Sequence, residues 1–169
     1  MSGLTEAELE EVCLDYLGDA GWARAFGPDL APGGSAAERS EYAEVLLVGR
    51  LRHALAKLNP DLPEAAQADV AAALGRAESQ VLLSENWRVY RLLSEGVPVE
   101  YRDANGRVVQ TRARLLDWES PDNNDWLAVN QLTVVQDGRK RIPDIVCFRL
   151  GGLGEVWVEL RERVPEPSY

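Results

Sequence analysis

No apolar run of about 18 residues or more occurs in the 169-residue chain, so no membrane-spanning helix is expected. Thr5 to Glu11 is acidic and has no apolar stretch behind it, which excludes a secretory signal. Histidine is represented only by His53. Without a second imidazole, a zinc site or a histidine-activated nucleophile is not expected, and His53 reads as an exposed helix residue. The two cysteines, Cys13 and Cys147, make no CxxC pair, and each sits among apolar residues. Free, buried thiols and a cytoplasmic location follow. No GxxxxGK[ST] loop is present, so ATP binding by this chain is not expected. Positive charge is scarce in the first half: residues 1–85 carry 6 Lys/Arg against 15 Asp/Glu, whereas residues 86–169 carry 12 against 13. A net charge of −10 argues against unspecific coating of nucleic acid, and leaves the second half better suited to face a phosphate backbone.

What is present is ordinary globular material, 46% apolar and long enough for one domain with a hydrophobic core. Thr5-Glu6-Ala7-Glu8 reads as a capping box, followed by Leu9, Val12, Cys13, Tyr16 and Leu17 at helical spacing. Ser35-Ala36-Ala37-Glu38 reads as a second box, opening a helix with Leu47, Leu51, Ala54, Leu55 and Leu58 on one face, stopped by Asn59-Pro60. Further helices fit residues 63–75 and 79–94, the last with Leu83, Trp87 and Tyr90 on one side. The texture then turns to strands at 97–102, 107–118, 126–135, 142–149 and 155–161, with a type I′ turn expected at Asn105-Gly106. The reading is α+β. One domain spans residues 1–163, helical over 4–95 and β-rich over 97–161 in a mixed or antiparallel sheet; residues 164–169 form a disordered tail. The five tryptophans are read as packing residues.

Chemistry concentrates in the last hairpin. With its turn centred on Gly151 and Gly152, residue 144 faces residue 159, and period-two alternation brings Asp144, Glu159 and Arg161 to one face. Carboxylates on directly opposed residues repel unless a cation lies between them, and Mg²⁺ prefers such hard oxygen donors. That arrangement suits phosphodiester hydrolysis, in which a metal activates water and offsets transition-state charge. On spacing alone, a solvated cross-strand pair with Arg161 nearby explains the pattern equally simply.

Pro143-Asp144, Glu159 and Arg161 resemble the PD-(D/E)xK nuclease motif, whose last position is normally lysine. The wider sequence resembles the N-terminal nuclease region of the restriction (R) subunit of type I restriction-modification enzymes. PGGSAAERSEYAEVLLVGRLRHALAKLNPDLP is similar to that region's opening helix, LSENWRVYRLLSEGVPVEYRDANGRVV to the segment after it, and NNDWLAVNQLTVVQDGRKRIPDIVCF to the approach to the catalytic hairpin. The likeness runs from about Leu4 to Leu160 in matching order. It implies a Mg²⁺-dependent endonuclease domain acting on double-stranded DNA beside methylation and specificity subunits, with ATP used only by a translocase that this sequence lacks. Asp144 and Glu159 carry over as metal ligands and Arg161 takes the lysine position. Arginine is planar, larger and always protonated, so phosphate binding is kept while water activation is impaired. The hairpin also reads as one residue longer than the family's. Beyond Arg161 the resemblance implies a supporting helix and strand where this sequence reads ERVPEPSY, so a shortened, impaired domain is expected.

Other residues have two readings each. Glu38 is a third metal ligand or only the cap paired with Ser35. Gln131, with Asn130 beside it, contacts DNA or a bound water, or bonds within the sheet. Arg139, Lys140 and Arg141 contact phosphates or form a solvated loop. The rival to an active nuclease domain is a catalytically inactive relative that binds DNA or a partner, or a gene remnant.

Overall fold

The computed structural model describes residues 5–76, 78–149 and 153–158. It is α+β, as the sequence implies, and resolves into two compact units. One comprises residues 46–125 together with 149 and 153, and the other, the more discontinuous unit, residues 5–45, 126–148 and 154–158.

In the more discontinuous unit, α1 (Glu6–Asp19) opens with the expected capping box. The Thr5 hydroxyl accepts from the Glu8 N–H, and the Glu8 carboxylate accepts from the Thr5 N–H. Its inner face supplies Leu14, which packs with Ala128, Ile145 and Cys147; Cys13, Leu17 and Trp22 complete that layer. Cys13 and Cys147 are thus far apart in sequence but share one cluster, and both thiols are free; Cys147 is buried and Cys13 only half-buried. After α1 comes β1 (Ala23–Phe26), then the single turn α2 (Gly27–Leu30). β1 pairs in parallel with β4 (Leu127–Asn130), which pairs antiparallel with β7 (Ile145–Arg149). With β8 (Leu153–Val158) the sheet order is β1-β4-β7-β8. β4 and β7 are buried on both faces, which is why LAVN and IVCFR read as continuous apolar runs. Between them stands a two-stranded ribbon, β5 (Val134–Gln136) and β6 (Arg139–Arg141).

The other unit carries α3 (Val48–Leu58), α4 (Glu64–Leu74), α5 (Leu82–Glu95) and the hairpin β2 (Val97–Arg102)–β3 (Val108–Ala113). Leu47, Leu51, Leu55, Val70 and Leu115 are its fully buried centre. Each such side chain contributes about 2 kcal/mol by leaving water.

Three sequence expectations are corrected. Ser35 does not cap a helix: its hydroxyl donates to Asp29 Oδ1, and residues 31–45 run as turns and loop, so the helix starts only at Val48. The β2–β3 turn is not type I′, because only Gly106 has positive φ (77°); Asp103 closes it by accepting from the Asn105 and Arg107 N–H groups. The type I′ pair is Asp137-Gly138, with φ 50° and 72°, joining β5 to β6. Finally, Trp87 and Trp118 are exposed rather than buried, at 63% and 62%, with Trp87 stacked on Tyr90; Trp22 and Trp126 pack, with ring centroids 5.3 Å apart.

Candidate active site

At one end of the sheet, Phe26, Asn130 and Ile145 stand in register as the last residue of β1, the last of β4 and the first of β7. Asp144 immediately precedes β7 there, half-buried. The run expected as one strand over 126–135 breaks at Gln131, whose φ is +54°. A left-handed non-glycine residue costs on the order of 1 kcal/mol or more and persists only where its surroundings fix it. Three contacts do so. The Gln131 N–H donates to the Asp144 carbonyl at 3.1 Å, and its side-chain amide donates to Glu10 Oε2 at 2.8 Å. The third contact is steric: Gly27 lies flat on this kink, and a Cβ there would sit 2.5 Å from the Gln131 carbonyl oxygen. Only glycine permits that approach.

Glu10 is the residue that sequence reasoning missed. It projects from α1, half-buried, and its second oxygen accepts from the Asn130 side-chain amide at 2.8 Å. A carboxylate gripped by two neutral amides keeps its charge uncompensated and its orientation fixed. The signal was present in the sequence, because Glu10 is a polar position on a helix whose apolar face packs against the sheet. Helical periodicity alone gave no reason to single it out from Glu6, Glu8 and Glu11.

The structure therefore gathers Asp144, Gln131, Asn130 and Glu10 around one strand end. Glu38 is half-buried in the loop after α2, with its N–H donating to the Leu30 carbonyl. Its expected cap is absent. Its neighbour Arg39 is 4% exposed, and donates from Nη1 to the carbonyls of Thr133 (3.0 Å) and Glu44 (3.3 Å), while Nε and Nη2 have no hydrogen-bond partner. Burial pushes the Arg39 guanidinium below its usual range, opposed by Tyr42 and Glu44. Arg139, Lys140 and Arg141 are all exposed on β6. Glu159 and Arg161 lie outside the described residues, and so does the register of β7 with β8; that these strands are neighbours agrees with the expected hairpin. Among the described residues, no three His, Cys, Asp or Glu side chains come together as a metal cluster.

The type I restriction enzyme R protein N terminus is the family whose model matches residues 3–167. The HindI type I restriction enzyme endonuclease subunit of Haemophilus influenzae is 38% identical over 166 residues, which are 98% of this chain and 16% of that protein. The putative MjaIXP type I restriction enzyme endonuclease subunit of Methanocaldococcus jannaschii is 27% identical over 143 residues, 83% of this chain and 13% of that protein. This chain belongs to the type I restriction enzyme R protein N-terminal family. It spans about a sixth of the length of the curated relatives it matches. Among its described residues no helix is long and apolar enough to cross a membrane.

Proposed function

We propose that the chain is the DNA-cleaving domain of a type I restriction-modification enzyme, a PD-(D/E)xK nuclease acting on double-stranded DNA within a complex that includes methylation and specificity subunits. The observation that supports it best is the strand end itself: Asp144 stands where a strained Gln131 and a locked Glu10 converge. Strain maintained by dedicated contacts clusters at functional sites.

Asp144 and Glu159 are the proposed ligands of Mg²⁺. The donor set fits: the acids offered are hard carboxylate oxygens, with neither histidine nor thiolate among them. Glu10 adjoins through Asn130 and Gln131, whereas Glu38 belongs to the loop after α2 and is the weaker candidate for a third ligand. When bound, the metal would offset charge on the phosphate and ease deprotonation of the attacking water. The remaining work falls to protein groups. Gln131, its amide fixed by Glu10, orients groups at the strand end. Arg161 offers a permanent positive charge to the phosphate as water adds to phosphorus, one ester bond breaks and the leaving oxygen takes up a proton. Arg139, Lys140 and Arg141 hold flanking phosphates. ATP use would belong to a translocase elsewhere in the enzyme.

The test is nicking of supercoiled plasmid by the purified chain in Mg²⁺. Asp144→Asn should lower the rate by at least about 100-fold, since even residues that only orient metal ligands cost 10–100-fold. An unchanged rate overturns the assignment. A second reading, a non-cutting DNA-binding relative, is favoured by one feature, the arginine at position 161. Arginine does not give up its proton to tune a water as lysine does. Under that reading the wild-type chain binds duplex DNA and shows no metal-dependent nicking.

A further inference from the structure

We infer that the β5–β6 ribbon enters the major groove of duplex DNA edge-on, with Arg139 and Arg141 toward one phosphate row and Lys140 toward the other. The inference deepens the nuclease reading and rests on it for its consequence, because the ribbon then sets where along the duplex Asp144 stands.

The first argument is charge. In a chain of net charge −10, residues 134–141 hold three cations and one acid, Asp137. None of the three cations is in an ion pair among the described residues, and residues 136–141 are all exposed. A polyanion repelled by the rest of the molecule meets an uncompensated positive finger here.

The second argument is the distribution of that charge. The register pairs Val134 with Arg141, Val135 with Lys140 and Gln136 with Arg139. Alternation then puts Arg139 and Arg141 on one face of the ribbon, about 6.6 Å apart along the strand, and Lys140 on the other. A ribbon lying flat on a single backbone would gather its cations on one face. Cations on both faces fit a slot walled by phosphates on both sides, which is a groove.

Size selects the groove. Two strands lie about 4.8 Å apart, and three residues extend about 10 Å. The major groove, about 12 Å wide and about 8.5 Å deep, admits a two-stranded ribbon; the minor groove, about 6 Å wide, does not.

The finger is also stiff at its base. Val134 is buried, the Val135 N–H donates to the Tyr42 carbonyl at 3.1 Å, and buried Arg39 holds the Thr133 carbonyl from below. A pre-formed ribbon loses little entropy on insertion. Only Ile142 and Pro143 separate its last cation from Asp144, so its depth of insertion fixes the height of the acid above the duplex.

The experiment measures binding of the full chain to a random-sequence 30-base-pair DNA duplex by fluorescence anisotropy across a salt series. EDTA is present throughout, so cleavage plays no part. The slope of log affinity against log salt should fall by about 1.8 for the double variant Arg139→Ala/Arg141→Ala, and by about 0.9 for Lys140→Ala, since each phosphate contact contributes about 0.9. Methyl green, a major-groove dye, should displace the protein, whereas netropsin, a minor-groove ligand, should not. An RNA duplex of the same sequence should compete at least about 10-fold more weakly, because its major groove is deep and narrow. Competition by netropsin alone, slopes unchanged in both variants, an effect confined to one face, or no DNA binding at low salt would each overturn the proposal. A separate plasmid-nicking assay in Mg²⁺, without EDTA, compares Asp144→Asn with the wild-type chain. If Asp144→Asn still nicks DNA while the ribbon variants lose binding, the catalytic assignment fails and the ribbon stands. If Asp144→Asn abolishes nicking while the ribbon variants bind normally, the reverse holds.

Discussion

Among the described residues, Glu10 makes its polar contacts with the two side-chain amides of residues 130 and 131. Replacing it with glutamine keeps the size but removes one acceptor and the charge. Glu10→Gln should slow nicking about 10–100-fold, as expected of a residue that orients ligands, with a stability loss of about 1–3 kcal/mol for a broken charged hydrogen bond. Plasmid nicking and urea denaturation report the two effects separately, and a stability loss without a rate loss would make Glu10 purely structural. Arg161→Lys addresses the opposite end of the motif. If the arginine limits water activation, lysine should raise the nicking rate; equal rates for the two forms would remove that limit from the account. At this scale legibility was uneven. The place of Asp144 at the head of a strand was legible because Pro143-Asp144 precedes an apolar run. Glu10 was not, because its importance comes from Asn130 and Gln131, residues 120 and 121 positions away.

The elements that read correctly are those decided locally. Thr5 and Glu8 close their own box within one turn, and α4 and α5 follow their periodicity. Ser35 failed as a cap because two non-local bonds outcompete a helix there: its hydroxyl goes to Asp29, and Arg39, four residues on, is drawn inside to Thr133. β1 was invisible, since Ala-Arg-Ala-Phe has no strand pattern and is a strand only by pairing with β4. Asn105-Gly106 was correctly read as a hairpin, but the Asp103 carboxylate imposed a different turn. Arg39 is the fastening of the ribbon's base. Arg39→Met should lower stability by about 1.5–3 kcal/mol for the lost charged hydrogen bonds, offset in part because two orphaned N–H donors leave the interior with it. Urea denaturation checks this; an unchanged midpoint would mean that the segment holds the ribbon without the guanidinium.

Across the whole molecule, several carboxylates lie below their ordinary range. The Thr5 N–H holds Glu8 down, the Ser40 hydroxyl Glu44, the Arg88 guanidinium Glu85, the Arg91 guanidinium Glu95, and the Asn123 amide Asp117. A carboxylate whose pKa is depressed by folding stabilises the native state above its unfolded value, 4.5 for Glu and 3.8 for Asp. That contribution is lost as pH falls through the folded value. The urea midpoint should therefore hold near neutrality and drop as pH falls from about 5 toward 3. The drop should be shallower in high salt, where the exposed Arg91–Glu95 pair is screened. A midpoint that rises on acidification would contradict these assignments. The parallel pairing of Ala23–Phe26 with Leu127–Asn130 has a consequence in time. A polypeptide leaves the ribosome from its N-terminus, so β1 emerges about a hundred residues before its partner strand exists. Residues 46–125, contiguous in sequence, form most of the other compact unit and should finish first. Pulse-labelled hydrogen exchange should find α3, α4 and the β2–β3 hairpin protected while β1 still exchanges freely. The acid at position 144 then joins its strand end last, so the proposed site is not assembled until β4 and β7 have both been made.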